Sequence, residues 1–160
     1  MGNQLNGFIP KELGNCTNLE ILVLYGNSPG GQIPKEIGNL KFLKKLYLYM
    51  NDLNGTIPKE IRNLSLATEI DFSENYLMGE IPTEFSKIKV LRLMYISQNQ
   101  LTGVIPNELN VLRNLTMLDL SINYLTGLIS CVETSQPGSS TVRHWCNFVW
   151  SITSLLAIFL

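Results

Sequence analysis

The stretch LKKLYLYMNDLNGTIPKEIRNLSL, residues 43 to 66, decides how the chain is read. It opens on the apolar alternation Leu46-Tyr47-Leu48, turns at Asn51, places Gly55 four residues later and closes through Ile57-Pro58. Stepping along the chain in units of 24 residues finds the same order repeatedly. Asparagine stands at Asn3, Asn27, Asn51, Asn75, Asn99 and Asn123, and glycine at Gly7, Gly31, Gly55, Gly79, Gly103 and Gly127. Ile9, Ile33, Ile57, Ile81, Ile105 and Ile129 follow, and all but the last precede proline, Ser130 taking that place. A fixed period in the range of 20 to 50 residues is the signature of a stacked-repeat architecture.

Within each period the chemistry assigns the elements. Leu22-Leu24, Leu46-Leu48, Ile70-Phe72, Met94-Ile96 and Leu118-Leu120 alternate apolar and outward residues, which predicts a half-buried strand of four to five residues. The Ile-Pro pair predicts a short extended segment across the turn, because proline lacks a backbone donor and biases its predecessor away from helix. Long helices are not expected. One such coil is too small to bury its own apolar face, so neighbouring coils must stack to make a core. A side-chain amide offers one acceptor and two donors, so the Asn column predicts buried amides that satisfy turn backbone out of reach of the strand ladder. The Gly column suits positive φ or close approach between coils. Pro29 and Ala67, which stand where the repeat calls for leucine, are expected to loosen packing without redirecting the path.

Composition narrows the function. Twelve basic and 13 acidic residues give a net charge of −1, with neither a basic stripe for phosphates nor an acidic tail, which argues against nucleic acid as a partner.

The unit L-x-x-L-x-L-x-x-N-x-L-x-G-x-I-P, seen from Leu43 onward, resembles the plant-specific leucine-rich repeat, and its Gly-x-Ile-Pro half is similar to the ectodomains of plant receptor-like kinases and receptor-like proteins. The resemblance covers residues 1 to about 129. It implies a mostly β repeat solenoid of the α/β type: a right-handed superhelix with a parallel sheet on its concave face and few or short helices. It further implies a secreted setting and recognition of peptides, proteins or a co-receptor kinase of the same repeat type. The chain departs from that pattern in three ways. Met1 falls in mid-strand, in register with Tyr25; no secretion signal or paired-cysteine cap is visible; and no kinase motif follows. These departures read as a fragment, and no enzymatic activity or cofactor is expected.

In the implied geometry the outward strand residues line up as Val23, Tyr47, Asp71, Tyr95 and Asp119, and beside them Tyr25, Tyr49, Ser73, Ser97 and Ser121. Tyr25, Tyr47, Tyr49 and Tyr95 group with Lys44, Lys45 and Arg92, and exposed aromatics flanked by cations are over-represented at recognition hot spots. Tyr25, Tyr47, Tyr49, Asp71, Tyr95, Lys45 and Arg92 are therefore the candidate ligand-binding residues; the competing reading is that these tyrosines only cover the sheet. Asp71 and Asp119 stand two strands apart, roughly 9.6 Å, on an open face, which does not suit paired-carboxylate hydrolysis. His144 is the only histidine and has no metal-ligand or triad spacing.

Four glycosylation sequons, at Asn15, Asn54, Asn63 and Asn114, are expected on turns or the convex side, away from the strand columns. Of three cysteines, Cys16 is expected to be a small buried residue, while Cys131 and Cys146 could bridge if oxidised. After Ile129 the period stops. Residues 130–144 read as a linker, and 145–160 as an apolar tail, about 24 Å long as a helix against a hydrocarbon core of about 30 Å. Trp145 to Leu160 then has three readings: a short membrane anchor, a lipid-anchor signal removed after Ser139 and Ser140, or sequence read past a lost splice site. The expected function is an extracellular recognition module of a receptor-like protein at the plasma membrane or outside it. The alternatives are an enzyme-blocking cell-wall protein similar to the polygalacturonase inhibitors, and a fragment without independent role.

Overall fold

The computed structural model describes residues 6–126; the linker, the tail, His144, Cys131 and Cys146 lie outside them. Eleven short strands and five 3₁₀ helices alternate among these residues. One parallel sheet has the order β10-β8-β6-β4-β2, from Met117–Asp119, Leu93–Tyr95, Glu69–Asp71, Lys45–Tyr47 and Ile21–Val23. It is built from the predicted apolar alternations, and corresponding residues pair 24 apart, as in Leu46↔Ile70 and Ile70↔Met94. The strands are three residues long rather than four or five. Past each strand the amides of Leu48, Met50 and Asn51 still bond to the neighbouring coil, to Asp71 O at 2.8 Å, Ser73 O at 3.1 Å and Glu74 O at 3.2 Å, as the chain turns at the asparagine. At that turn Met50, Glu74, Gln98 and Ile122 take φ of 53° to 55°, the left-handed region, with Gly26 in the equivalent place.

A second parallel sheet, not foreseen from the residues, runs β1-β3-β5-β7-β9-β11. Its strands are Asn6–Phe8, Ser28–Gln32, Asp52–Gly55, Tyr76–Glu80, Gln100–Val104 and Tyr124–Thr126. They occupy the Asn-to-Gly part of each period, where turn-forming residues give little strand signal. Here the register steps by 22, as in Asn54↔Tyr76, so each strand is staggered against the next. Gly55 in this sheet has φ +72°, and a Cβ on it would lie 2.8 Å from Cγ of Gln32 in the preceding coil.

The Ile-Pro pairs stay extended, as expected, and each proline then caps a 3₁₀ helix of five residues. Pro58, at φ −69° and ψ 140°, precedes Lys59–Asn63 and accepts from Ile61 N at 3.1 Å. The ring fixes φ while the carbonyl remains free to take the first helical bond, so proline suits this position. The core is one continuous cluster between the sheets and the helices, running from Ile9 to Leu120. Ala67 sits fully buried in it.

Cys16 corrects an expectation: it is exposed. Its counterparts one to four periods on, Leu40, Leu64, Ile88 and Leu112, are fully buried between coils. The first coil has a described neighbour on one side only, so the same position is left open there.

Candidate recognition face

The Asn ladder holds the face in place. Asn75 Nδ2 donates to Phe72 O and Ser73 O of its own coil and to Leu48 O of the preceding one at 2.9 Å, while its Oδ1 accepts from Leu53 N at 3.1 Å. Asn99 and Asn123 repeat the set against Leu77 N and Leu101 N. Asn51 departs from it, because the residue equivalent to Leu53 is Pro29, which has no N–H; its Oδ1 accepts from Asn27 N at 3.2 Å instead. Pro29 is buried and its strand still pairs on both sides, so the substitution reroutes one hydrogen bond and leaves the path intact.

With the turns fixed, the first residue after each strand's central apolar side chain points outward, and so does the third at Tyr25 and Tyr49, whereas Ser97 and Ser121 in that third column are buried. Tyr25 and Tyr49 stack with ring centroids 4.7 Å apart and planes 2° from parallel. Tyr47 donates its hydroxyl hydrogen to Glu69 Oε2, and Lys45 Nζ lies 2.9 Å from Glu69 Oε1. Burial, and then this hydrogen bond and the charge of Glu69, push the Tyr47 phenol up to about 12. The same hydrogen bond, with Lys45 helping, holds Glu69 below the ordinary carboxylate range. Lys44 bridges Glu20 at 2.7 Å on an exposed edge. Arg92 makes no ion pair among the described residues, but its charge bears on Glu69.

The tyrosine and lysine grouping read from the sequence is therefore real at Lys45 and Tyr47, and Glu69 joins them. Glu69 was not foreseen, although it stands 24 residues after Lys45, in the same column. Asp71 and Tyr95 are paired in register, with Asp119 beyond Tyr95. Asp71 Oδ1 accepts from Ser73 N at 3.0 Å and from Ser73 Oγ at 2.5 Å; Asp119 and Ser121 repeat this at 3.0 and 2.7 Å. These aspartates thus shape their own strand ends, and the open sheet gives neither a cleft for chemistry.

Of the sequon asparagines, Asn15, Asn54 and Asn114 are exposed and Asn63 is half-buried. Asn54 lies on β5 of the second sheet, Asn15 and Asn63 end 3₁₀ helices, and Asn114 donates to Lys89 O at 2.8 Å. None stands on the five-stranded sheet. No helix among the described residues is long and apolar enough to cross a membrane.

Residues 18–40, 42–64, 67–88 and 90–112 match the family described as Leucine Rich Repeat. No curated protein sequence matches the chain. Among solved structures it is similar to the ectodomain of the Arabidopsis thaliana membrane receptor kinase GASSHO1/SCHENGEN3, in complex with CASPARIAN STRIP INTEGRITY FACTOR 2. The identity is 41 %, over 81 % of this chain and 16 % of that one, with a TM-score of 0.80. The Arabidopsis receptor kinase HAESA, in complex with the peptide hormone IDA and the co-receptor SERK1, is also 41 % identical, over 81 % and 22 %, with a TM-score of 0.77. The BIR3–SERK2 complex from Arabidopsis thaliana contains a chain 37 % identical over 78 % and 65 %, with a TM-score of 0.70. The chain thus spans about a fifth of the length of the larger receptors it matches.

Proposed function

The chain belongs to the leucine-rich-repeat family, and on that premise we propose that it is a non-catalytic recognition module of a plant receptor-like protein. It binds a peptide or protein ligand, or a co-receptor of the same repeat type, on the outward face of the five-stranded sheet. The observation that carries this reading is the aromatic and charged surface of that sheet, formed by Tyr25, Tyr47, Tyr49 and Tyr95 with Lys45, Asp71 and Arg92. Two of the solved relatives are receptors in complex with a peptide hormone or an integrity factor, and two complexes include a SERK partner. The setting is extracellular or at the plasma membrane, with glycans on Asn15, Asn54, Asn63 and Asn114 kept off the binding face.

The test replaces Tyr47, Tyr49 and Tyr95 together by alanine in the immobilised chain and measures retention of a random hexapeptide library. The wild type should retain a subset of peptides that the variant, with an unchanged circular dichroism spectrum, releases. Equal retention by both would remove the sheet face from consideration.

A further inference from the structure

The outward face divides into two parts with different electrostatics. Around β4 and β6 the charges are satisfied internally: Lys45 and Tyr47 both bind Glu69, and Lys44 pairs with Glu20. Around β6, β8 and β10 they are not. Asp71 and Asp119 stand one strand to either side of Tyr95, each in register with it. Each carboxylate accepts hydrogen bonds from the serine two residues on through Oδ1 alone, leaving Oδ2 without a donor among the described residues. No described cation lies within ion-pair distance of either; Arg92 acts on Glu69 instead. The Tyr95 hydroxyl also has no hydrogen-bond partner among the described residues. Its ionisation is pushed up by burial and then by Asp71, Asp119 and Glu69, so both aspartates bear on one ring.

An aromatic ring attracts cations, and here a half-buried one stands in register between two carboxylates about 9.6 Å apart, so three groups that favour positive charge share one stretch of the sheet. A flat guanidinium stacks on an aromatic and donates from its edges, and charge-assisted bonds to carboxylates are the stronger class of hydrogen bond. Resting on the recognition reading above, we infer that the ligand of this face is an extended peptide that places an arginine or lysine side chain over Tyr95, between Asp71 and Asp119. Asp71, Tyr95 and Asp119 then select the ligand by charge, while the stacked Tyr25 and Tyr49 and the self-neutralised Lys45–Glu69–Tyr47 group offer surface without net charge.

The experiment uses the full chain and four synthetic hexapeptide libraries that carry arginine, lysine, norleucine or glutamate at one fixed position. Arginine and lysine libraries should be retained about tenfold better than norleucine, the size of effect that one charge-assisted contact gives. That preference should vanish in the double variant Asp71→Asn/Asp119→Asn and shrink at high salt. Asparagine keeps the Oδ1 acceptor for Ser73 and Ser121, so the strand ends persist in the variant. If the wild type retains norleucine and arginine libraries equally, and the tyrosine triple variant releases both, the cation inference is overturned while the recognition face stands. If no library is retained, both fall.

Discussion

At the scale of the residue, Asn75 does what no apolar side chain could do in its place. It is 7 % exposed and its amide serves four backbone groups, two of them in the preceding coil. Among the described residues no buried side-chain nitrogen or oxygen lacks a partner, so the ladder is fully satisfied and any gap in it carries the whole desolvation cost of the orphaned groups. Asn75→Leu removes the acceptor of Leu53 N without replacing it, whereas Leu48 O, Phe72 O and Ser73 O keep donors in Asn51 Nδ2, Asn99 Nδ2 and Met50 N. At roughly 1 to 3 kcal/mol per orphaned buried group, the loss is expected to be about 1 to 3 kcal/mol. Urea denaturation would measure it, and a loss under about 1 kcal/mol would mean that water or backbone shifts take over the amide's work. The role of this asparagine could be read from the sequence, since a polar residue recurring without exception beside leucines demands a buried polar task. The rerouted bond at Asn51 could not, because it follows from one proline meeting one acceptor in the next coil.

At the scale of the element, two contacts tie neighbouring coils in ways the periodic pattern does not announce. The first joins β4 to β6 through Tyr47 and Glu69. The Tyr47 phenol ionises near 12 in the folded chain, against about 10 when unfolded, so the folded state holds this proton more tightly. Its contribution to stability is therefore complete below pH 10 and is lost as pH rises toward 12. Tyr47→Phe should lower stability at neutral pH and flatten its decline between pH 10 and 12, as followed by denaturation at each pH. The phenolate absorbance of the wild type should show one tyrosine titrating near 12 that the variant lacks. Glu69 works with the opposite sign: its depressed carboxyl contributes stability at neutral pH that fades in acid, as the group protonates through its lowered pKa. The second contact joins the 3₁₀ helices. A Cβ on Gly38 would lie 2.6 Å from the carbonyl oxygen of Glu60 and 2.8 Å from its Cβ, and backbone cannot swing aside as a side-chain tip can. Gly38→Ala should cost about 1 to 3 kcal/mol through forced separation of these two helices, although alanine is the better helix former. A thermal midpoint equal to or above that of the wild type would show that the coils can part without cost.

At the scale of the whole molecule, the period itself is the organising quantity, and it explains which features sequence could disclose. Core columns, the Asn turn, the Gly column and the absence of long helices among the described residues follow from spacing and side-chain chemistry within one unit. The second sheet does not, because segments such as Ser28–Gln32 and Asp52–Gly55 carry turn formers and acquire strand bonding only from staggered neighbours in adjacent coils. Glu69, and the exposure of Cys16, likewise depend on what stacks alongside rather than on local pattern. A molecule in which each coil touches only its neighbours should tolerate loss of one whole unit but not of half a unit. Deleting residues 51–74 joins Met50 to Asn75 and returns every column to register: Leu48 still precedes an asparagine by three residues, and Gly79 and Ile81 still follow it at the old spacing. Deleting only 63–74 joins Arg62 to Asn75 and sets Tyr76 where the buried Leu64 stood, with every later column out of register. The longer deletion should keep its far-ultraviolet circular dichroism per residue and unfold in one cooperative step, with an unfolding enthalpy lower by roughly a fifth, in proportion to the structure removed. The shorter deletion should lose both the spectrum and the transition, despite removing half as many residues. If the two variants behaved alike, stability would reside in a global core rather than in the contact of each coil with the next.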